Sequence, residues 1–202
     1  HYEHDSTVVP LLARPFPNVH VGAEDAFQVA YPGSTTGSIS VANSSRVSGG
    51  DVFYRRMIFE NSRRRLDLIA GYQFARIDTD LTIASQQRFS ESNVSNVSHP
   101  QGTVLELSAT FDTRNSYHAG EIGLWGIYDR GPITWSLLAK VGLGSMNQRT
   151  AISGQTVTTI PGAGSAVTNQ GLLALETNSG TFKRNVFAVS PEVAVNASIE
   201  LG

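Results

Sequence analysis

The chain has 202 residues, no cysteine and a formal net charge of −2, and only 16 % of it is charged, against roughly 25 % in average soluble domains. No disulfide framework or thiolate site is open to it, and a near-neutral balance with one short basic run, Arg63-Arg64-Arg65, read as a solvated turn, gives no nucleic-acid footprint. A mean hydropathy of −0.12, with no run near the roughly 18 apolar residues of a membrane helix, excludes a helical membrane protein.

Residues 1–37 show no sustained alternation and carry Pro10, Pro15, Pro17 and Pro32; they read as an irregular, external loop segment with short extended pieces. Residues 38–60 are strand-like, with Ser48-Gly49-Gly50 marking a bulge or a tight turn. After a polar connection at 61–65, Leu66, Leu68, Ala70, Tyr72 and Phe74 share one face, and Asp67, Ile69, Gly71 and Gln73 the other. The apolar parity then moves to Ile77, Leu81 and Ile83, which predicts a bulge or a turn near Asp78-Thr79-Asp80. A polar, Ser/Asn-rich loop follows at 85–103, then a strand over 104–128 with a second parity slip between Phe111 and Ile122. Asp129-Arg130-Gly131-Pro132 is a turn.

The clearest alternation comes last. From 133 to 145, Ile133, Trp135, Leu137, Ala139, Val141 and Leu143 oppose Thr134, Ser136, Leu138, Lys140, Gly142 and Gly144. After a long Gly/Thr/Asn-rich loop at 153–184, Phe187, Val189, Pro191, Val193, Val195, Ala197, Ile199 and Leu201 oppose Ala188, Ser190, Glu192, Ala194, Asn196, Ser198 and Glu200. Strands of soluble domains average about five or six residues, whereas about nine to eleven tilted residues cross a bilayer with lipid outside and a polar lumen inside. The expected fold is all-β, an antiparallel up-and-down transmembrane β-barrel. Short turns at 61–65 and 129–132 are expected on the periplasmic side, and loops 85–103 and 153–184 outside. Parity closes only with five long strands, too few and odd in number for a closed barrel. The chain also starts at His1 and shows no signal peptide. It is therefore expected to be a partial barrel over 38–202, a piece of a larger protein.

Several motifs line up in order: L-L-A-R-P-F at 11–16, E-D-A-F-Q-V-A-Y-P-G at 24–33, L-D-L-I-A-G-Y-Q-F at 66–74, F-D-T-R-N-S-Y-H-A-G-E-I-G at 111–123, W-S-L-L-A-K-V-G-L-G at 135–144, G-L-L-A-L-E-T-N-S-G at 171–180 and F-A-V-S-P-E at 187–192. Together they resemble the planctomycete BBP-type outer-membrane β-barrel proteins. The resemblance covers almost the whole chain and implies an outer-membrane location, with earlier strands before His1 and a hairpin after Gly202. It implies no reaction, cofactor or ligand.

Lys140 and Glu192 fall on the inward parity of strands expected to be antiparallel neighbours. A charge facing lipid at mid-depth costs about 2–4 kcal/mol, so both belong in the lumen, with Ser136, Ser190 and Asn196 as further lumen-facing candidates. The Lys140–Glu192 pair reads as a selectivity device or as a structural ion pair filling a narrow lumen. Tyr128 and Trp135 flank the 129–132 turn on outward parity, where an aromatic girdle belongs. Pro191 in mid-strand calls for a bulge at Ser190-Pro191. No catalytic residue is assigned: Asp112, Ser116 and His118 lack a nucleophile elbow. His1 and His4 at a frayed terminus do not make a metal site, and Gly142, Gly144, Gly162 and Gly164 lack phosphate-loop spacing. The expected function is that of an integral outer-membrane protein in contact with lipid, structural or porin-like toward small solutes. A soluble lipocalin-like ligand-binding barrel and surface adhesion through the external loops are the alternatives.

Overall fold

The computed structural model describes residues 2–5, 11–18, 22–91 and 99–200. These form nine strands and no helix: β1 (Tyr2–Asp5), β2 (Leu12–Asn18), β3 (Ala23–Ala30), β4 (Thr35–Glu60), β5 (Arg64–Phe89), β6 (Val104–Arg130), β7 (Ile133–Ile160), β8 (Gly164–Thr168) and β9 (Gly180–Ile199). One antiparallel sheet has the order β1-β4-β5-β6-β7-β8, with β9 also on β7; β2 and β3 make a separate hairpin. Strands β4 to β7 each contribute to two compact units.

Unit 1 comprises His1–Ser45, Thr79–Thr113 and Thr150–Phe182. Its described centre is conventional: Leu12, Val29 and Ala30 are buried, with Phe27 and Ile39 packed against them, and Leu107, Ala109 and Phe89 are buried as well. The hairpin is tied on by Arg14, whose guanidinium donates to Ser85 Oγ at 2.9 Å, and by Gln87, which donates to the Gln28 carbonyl at 3.0 Å. Hence the described residues of 1–37 include β1, β2, β3 and the start of β4. Pro15 and Pro17 sit within β2, opposite Ala26 and Glu24, because a two-stranded hairpin leaves alternate N–H groups without a ladder partner and a proline loses nothing there. Likewise, β5 runs on through Phe89, and 153–184 is not one loop. Strand β7 continues to Ile160 and turns back into β8, pairing Thr156 with Thr168 and Ile160 with Gly164. The turn is made by Gly162 and Gly164, both at positive φ, a backbone that polar composition alone does not reveal. Residues 92–98 of the expected 85–103 loop lie outside the described residues, as do His1 and the side chain of His4.

Unit 2 comprises Arg46–Asp78, Arg114–Arg149 and Lys183–Gly202. Here β4-β5-β6-β7-β9 are neighbours in that order, the order expected of an up-and-down meander; β4 meets β1 only at Ser38–Val41, in unit 1, and β9 has no second partner among the described residues. Each strand segment in this unit is longer than the nine to eleven residues that cross a bilayer. At one end, Asn61 closes the β4–β5 connection by accepting from the backbone of Arg63 (3.0 Å) and Arg64 (2.8 Å). Gly131, at φ 64°, turns β6 into β7. Asp129 N–H reaches the Arg63 carbonyl and Glu200 N–H the Pro132 carbonyl, each at 2.9 Å, so the connections stand side by side.

Two local expectations are corrected. Strand β4 runs through Ser48-Gly49-Gly50 without a turn; a Cβ on Gly49 would sit 2.9 Å from the Phe74 carbonyl oxygen, so this glycine permits a close strand approach. Strand β9 is continuous through Pro191. The slip in β6 is one of chemistry: Leu107, Ala109, Tyr117, Ala119 and Glu121 are all odd-numbered and all buried. The large aliphatic residues change parity: Leu107 is buried in unit 1, whereas Ile122 and Leu124 are exposed in unit 2.

Candidate functional site

In unit 2 the strands β5, β6, β7 and β9 each expose an apolar row, whereas β4 exposes large apolar side chains on both parities, Phe53 and Met57 as well as Val52 and Tyr54. On β5, Leu68, Tyr72 and Phe74 are exposed, whereas Asp67 and Ile69 are buried; on β6, Ile122 and Leu124 are exposed and Glu121 is buried. On β7, Trp135, Leu137 and Leu143 are exposed and Lys140 is buried. On β9, Phe187, Val189, Val193 and Val195 are exposed, while Ser190 is half-buried and Asn196 exposed. Ser136 is half-buried. Burial of an ionised group costs several kcal/mol unless it is paired, so the partners of these charges decide what the interior is.

Lys140 is the hub, with a side chain only 6 % exposed. Its Nζ donates to Asp51 of β4 and lies 3.2 Å from Glu121 Oε2 of β6 and 3.2 Å from Glu192 Oε2 of β9. The Phe53 ring of β4 stands 5.7 Å from the same nitrogen. Two strands separate β4 from β7 in the sheet, about 14 Å if it were flat. A hydrogen bond from Lys140 to Asp51 across that gap requires the sheet of this unit to curl. Two glycines make room for the curl. A Cβ on Gly123 would collide with Lys140, and one on Gly142 would stand 2.8 Å from Gln73 Oε1 and 2.9 Å from the Tyr117 hydroxyl. The cluster holds one cation and three carboxylates, an excess of negative charge on the inner face.

A second cluster lies on the same inward parity. Asp67, with a side chain 1 % exposed, accepts from Arg65 Nε at 2.9 Å and faces Arg55 Nε at 3.2 Å. The Arg55 guanidinium stacks 4.3 Å over Trp125.

Of the residues marked from sequence, Lys140 and Glu192 are thus brought together. Asp51, Glu121 and the Arg55–Asp67–Trp125 group escaped that reading, although the alternation held the signal: each stands on the parity opposite exposed apolar neighbours such as Val52, Leu68, Ile122 and Leu124. Tyr128 and Trp135 are both exposed and line one apolar groove with Leu66, Leu137 and Val195; Arg64 lies 5.5 Å over the Tyr128 ring. Of Asp112, Ser116 and His118, His118 has its Nδ1 hydrogen-bonded to the Tyr72 hydroxyl at 2.5 Å.

The family model described as "Putative beta barrel porin-7 (BBP7)" matches residues 1–201. No curated protein matched the chain. The chain belongs to the beta barrel porin-7 family.

Proposed function

We propose that this family member is an integral outer-membrane β-barrel protein of porin type, whose unit 2 strands cross the lipid and whose polar, charged inner face lines a path for small solutes. The observation that carries this reading is the inverted surface of unit 2: leucines, valines and aromatics face outward while Asp67, Glu121 and Lys140 are buried. In water that arrangement exposes the residues that folding normally buries; in lipid it is what the solvent demands. On this reading the close-set turns near Asn61 and Gly131 are periplasmic, and Tyr128 and Trp135 sit at that interface. Three carboxylates around one lysine at the inner face favour cations over anions.

Flotation with vesicles and planar-bilayer conductance test the reading. Carbonate-resistant insertion and discrete conductance steps with cation preference are expected; a protein that stays in the aqueous fraction without detergent overturns it. Lys140 itself favours a second reading, a barrel whose interior is closed by side chains, because its ion pairs span β4, β6, β7 and β9. Stable insertion without conductance would select that structural role.

A further inference from the structure

The outward rows of unit 2 change character along their length. On β5 the row runs Leu68, Tyr72, Phe74 and then Arg76 and Asp78; on β6, Leu124, Ile122, His118 and then Arg114. On β7 it runs Trp135, Leu137, Leu143 and then Asn147 and Arg149; on β9, Val195, Val193, Val189, Phe187 and then Asn185 and Lys183. The apolar rows of β6, β7 and β9 thus give way to cations and amides at the end away from the short turns, and that of β5 to Arg76 and Asp78. The ends of the β6, β7 and β9 rows line a groove of about 470 Å³ with Arg114, Asn147, Arg149, Lys183 and Asn185, joined by Arg184 of the opposite parity, and no carboxylate lines it.

The nearby acid Asp78 leaves the balance positive, because it is shared by two guanidiniums, Arg76 Nε at 2.8 Å and Arg114 Nε at 2.9 Å. The Asn185 side-chain oxygen accepts from Ser145 Oγ at 2.6 Å, which leaves its NH₂ to donate. Two or more guanidiniums supply planar, paired donors that match phosphate oxygens, the ammonium adds a point charge, and the amides complete the donor set. A phosphate ester satisfies such a groove; an uncharged sugar or an apolar chain does not.

We propose that this groove binds a phosphate group, and that its source is the headgroup of an anionic lipid at the rim of the bilayer. The groove continues rows of side chains that face lipid, so the headgroup plane falls where the apolar rows stop. The choice of lipid over free phosphate rests on the membrane reading above; the anion chemistry does not.

The experiment is native mass spectrometry of the detergent-solubilised protein with phosphatidic acid, phosphatidylcholine or inorganic phosphate, beside flotation of the same protein with vesicles. Phosphatidic acid is expected to bind in preference to phosphatidylcholine and to resist an equal concentration of inorganic phosphate. The Arg149→Gln/Lys183→Gln variant should lose roughly thirtyfold in that affinity, and Arg149→Lys/Lys183→Arg should recover most of it. Because all four side-chain changes fall on exposed positions, folding is checked by the β-sheet circular dichroism signal, and Arg184→Gln serves as a second, independent variant expected to weaken binding by roughly fivefold. Equal binding of both lipids, or unchanged phosphatidic acid binding in the glutamine variants, overturns the groove. Displacement by equimolar inorganic phosphate overturns the lipid source. Insertion with no phosphate preference counts against the groove alone, whereas failure to insert counts against the membrane reading.

Discussion

The two units expose different chemistry from the same strands. In unit 1, apolar side chains such as Leu12, Val29, Leu107 and Phe89 are buried. In unit 2, Asp67, Glu121 and Lys140 are buried beside Ile69, Tyr117 and Ala119, and 22 of the 27 large apolar side chains exposed among the described residues belong to it. A strand alternates sides whatever surrounds it. What differs is the solvent each side meets, so a strand can keep its buried parity and still exchange its chemistry, as β6 does between Leu107 and Glu121. Burial alone therefore cannot be equated with hydrophobicity in this chain, and the comparison can be broken by placing charge where each unit forbids it.

The largest effect is expected at the hub of unit 2. Lys140→Met leaves Asp51, Glu121 and Glu192 facing one another without their cation, and breaking a buried ion pair from one side costs about 3–5 kcal/mol. Adding Glu121→Gln removes the most buried of the three carboxylates and should restore part of the loss, a non-additivity that marks direct coupling. Urea unfolding in vesicles, followed by the fluorescence of Trp125 and Trp135, measures both. Additive losses would mean that the cluster is solvated and that the interior of unit 2 is not the low-dielectric side.

Leu124→Arg probes the outside of the same unit. Leu124 is 44 % exposed, and in water a substitution at such a position usually changes stability by within about 0.5 kcal/mol. Facing lipid near mid-depth, the arginine should cost about 2–4 kcal/mol. The matched change in unit 1, Val29→Ala at a fully buried site, should cost about 2 kcal/mol as an ordinary core truncation, in vesicles and in detergent alike. If Leu124→Arg is also neutral in vesicles, the exposed apolar rows do not face lipid and the contrast between the units loses its cause.

How much of this was legible in the sequence follows the same division. The five long strands, their order and the exposed rows of β5, β7 and β9 could be read directly, because alternation over many residues fixes which side chains share a face. Pairing Lys140 with Glu192 followed from parity and loop position. Asp51 and Glu121 were missed because the two clearest strands drew the attention, although Val52 and Ile122 beside them gave the same cue. Strands β1 to β3 and β8 were hidden because prolines and short polar runs read as loop, and only hairpin partners such as Ala26 opposite Pro15 make them strands. The parity slip in β6 was read as geometry because a sequence shows which residues are apolar but not which solvent each stretch meets.

The smallest expected effect sharpens the comparison at the hairpin of unit 1. Asp25 in β3 accepts from Asn18 Nδ2 at 3.0 Å and from the Ala26 backbone N–H at 2.8 Å, and these two bonds favour its ionised form, holding the carboxyl below its ordinary value. Since the folded pKa is the lower one, the hairpin gains stability that is fully present above the unfolded value of about 3.9 and is lost as pH falls through the folded one. Protection of the Ala26 amide, taken relative to its intrinsic exchange rate, should therefore fall on acidification below about pH 4, and Asp25→Asn should flatten that dependence and lower the protection at neutral pH. Asp25 is exposed, so in vesicle-inserted protein it should follow bulk pH as it does in detergent. A profile that shifts upward in vesicles would place this hairpin against the bilayer and give unit 1 the same surroundings as unit 2.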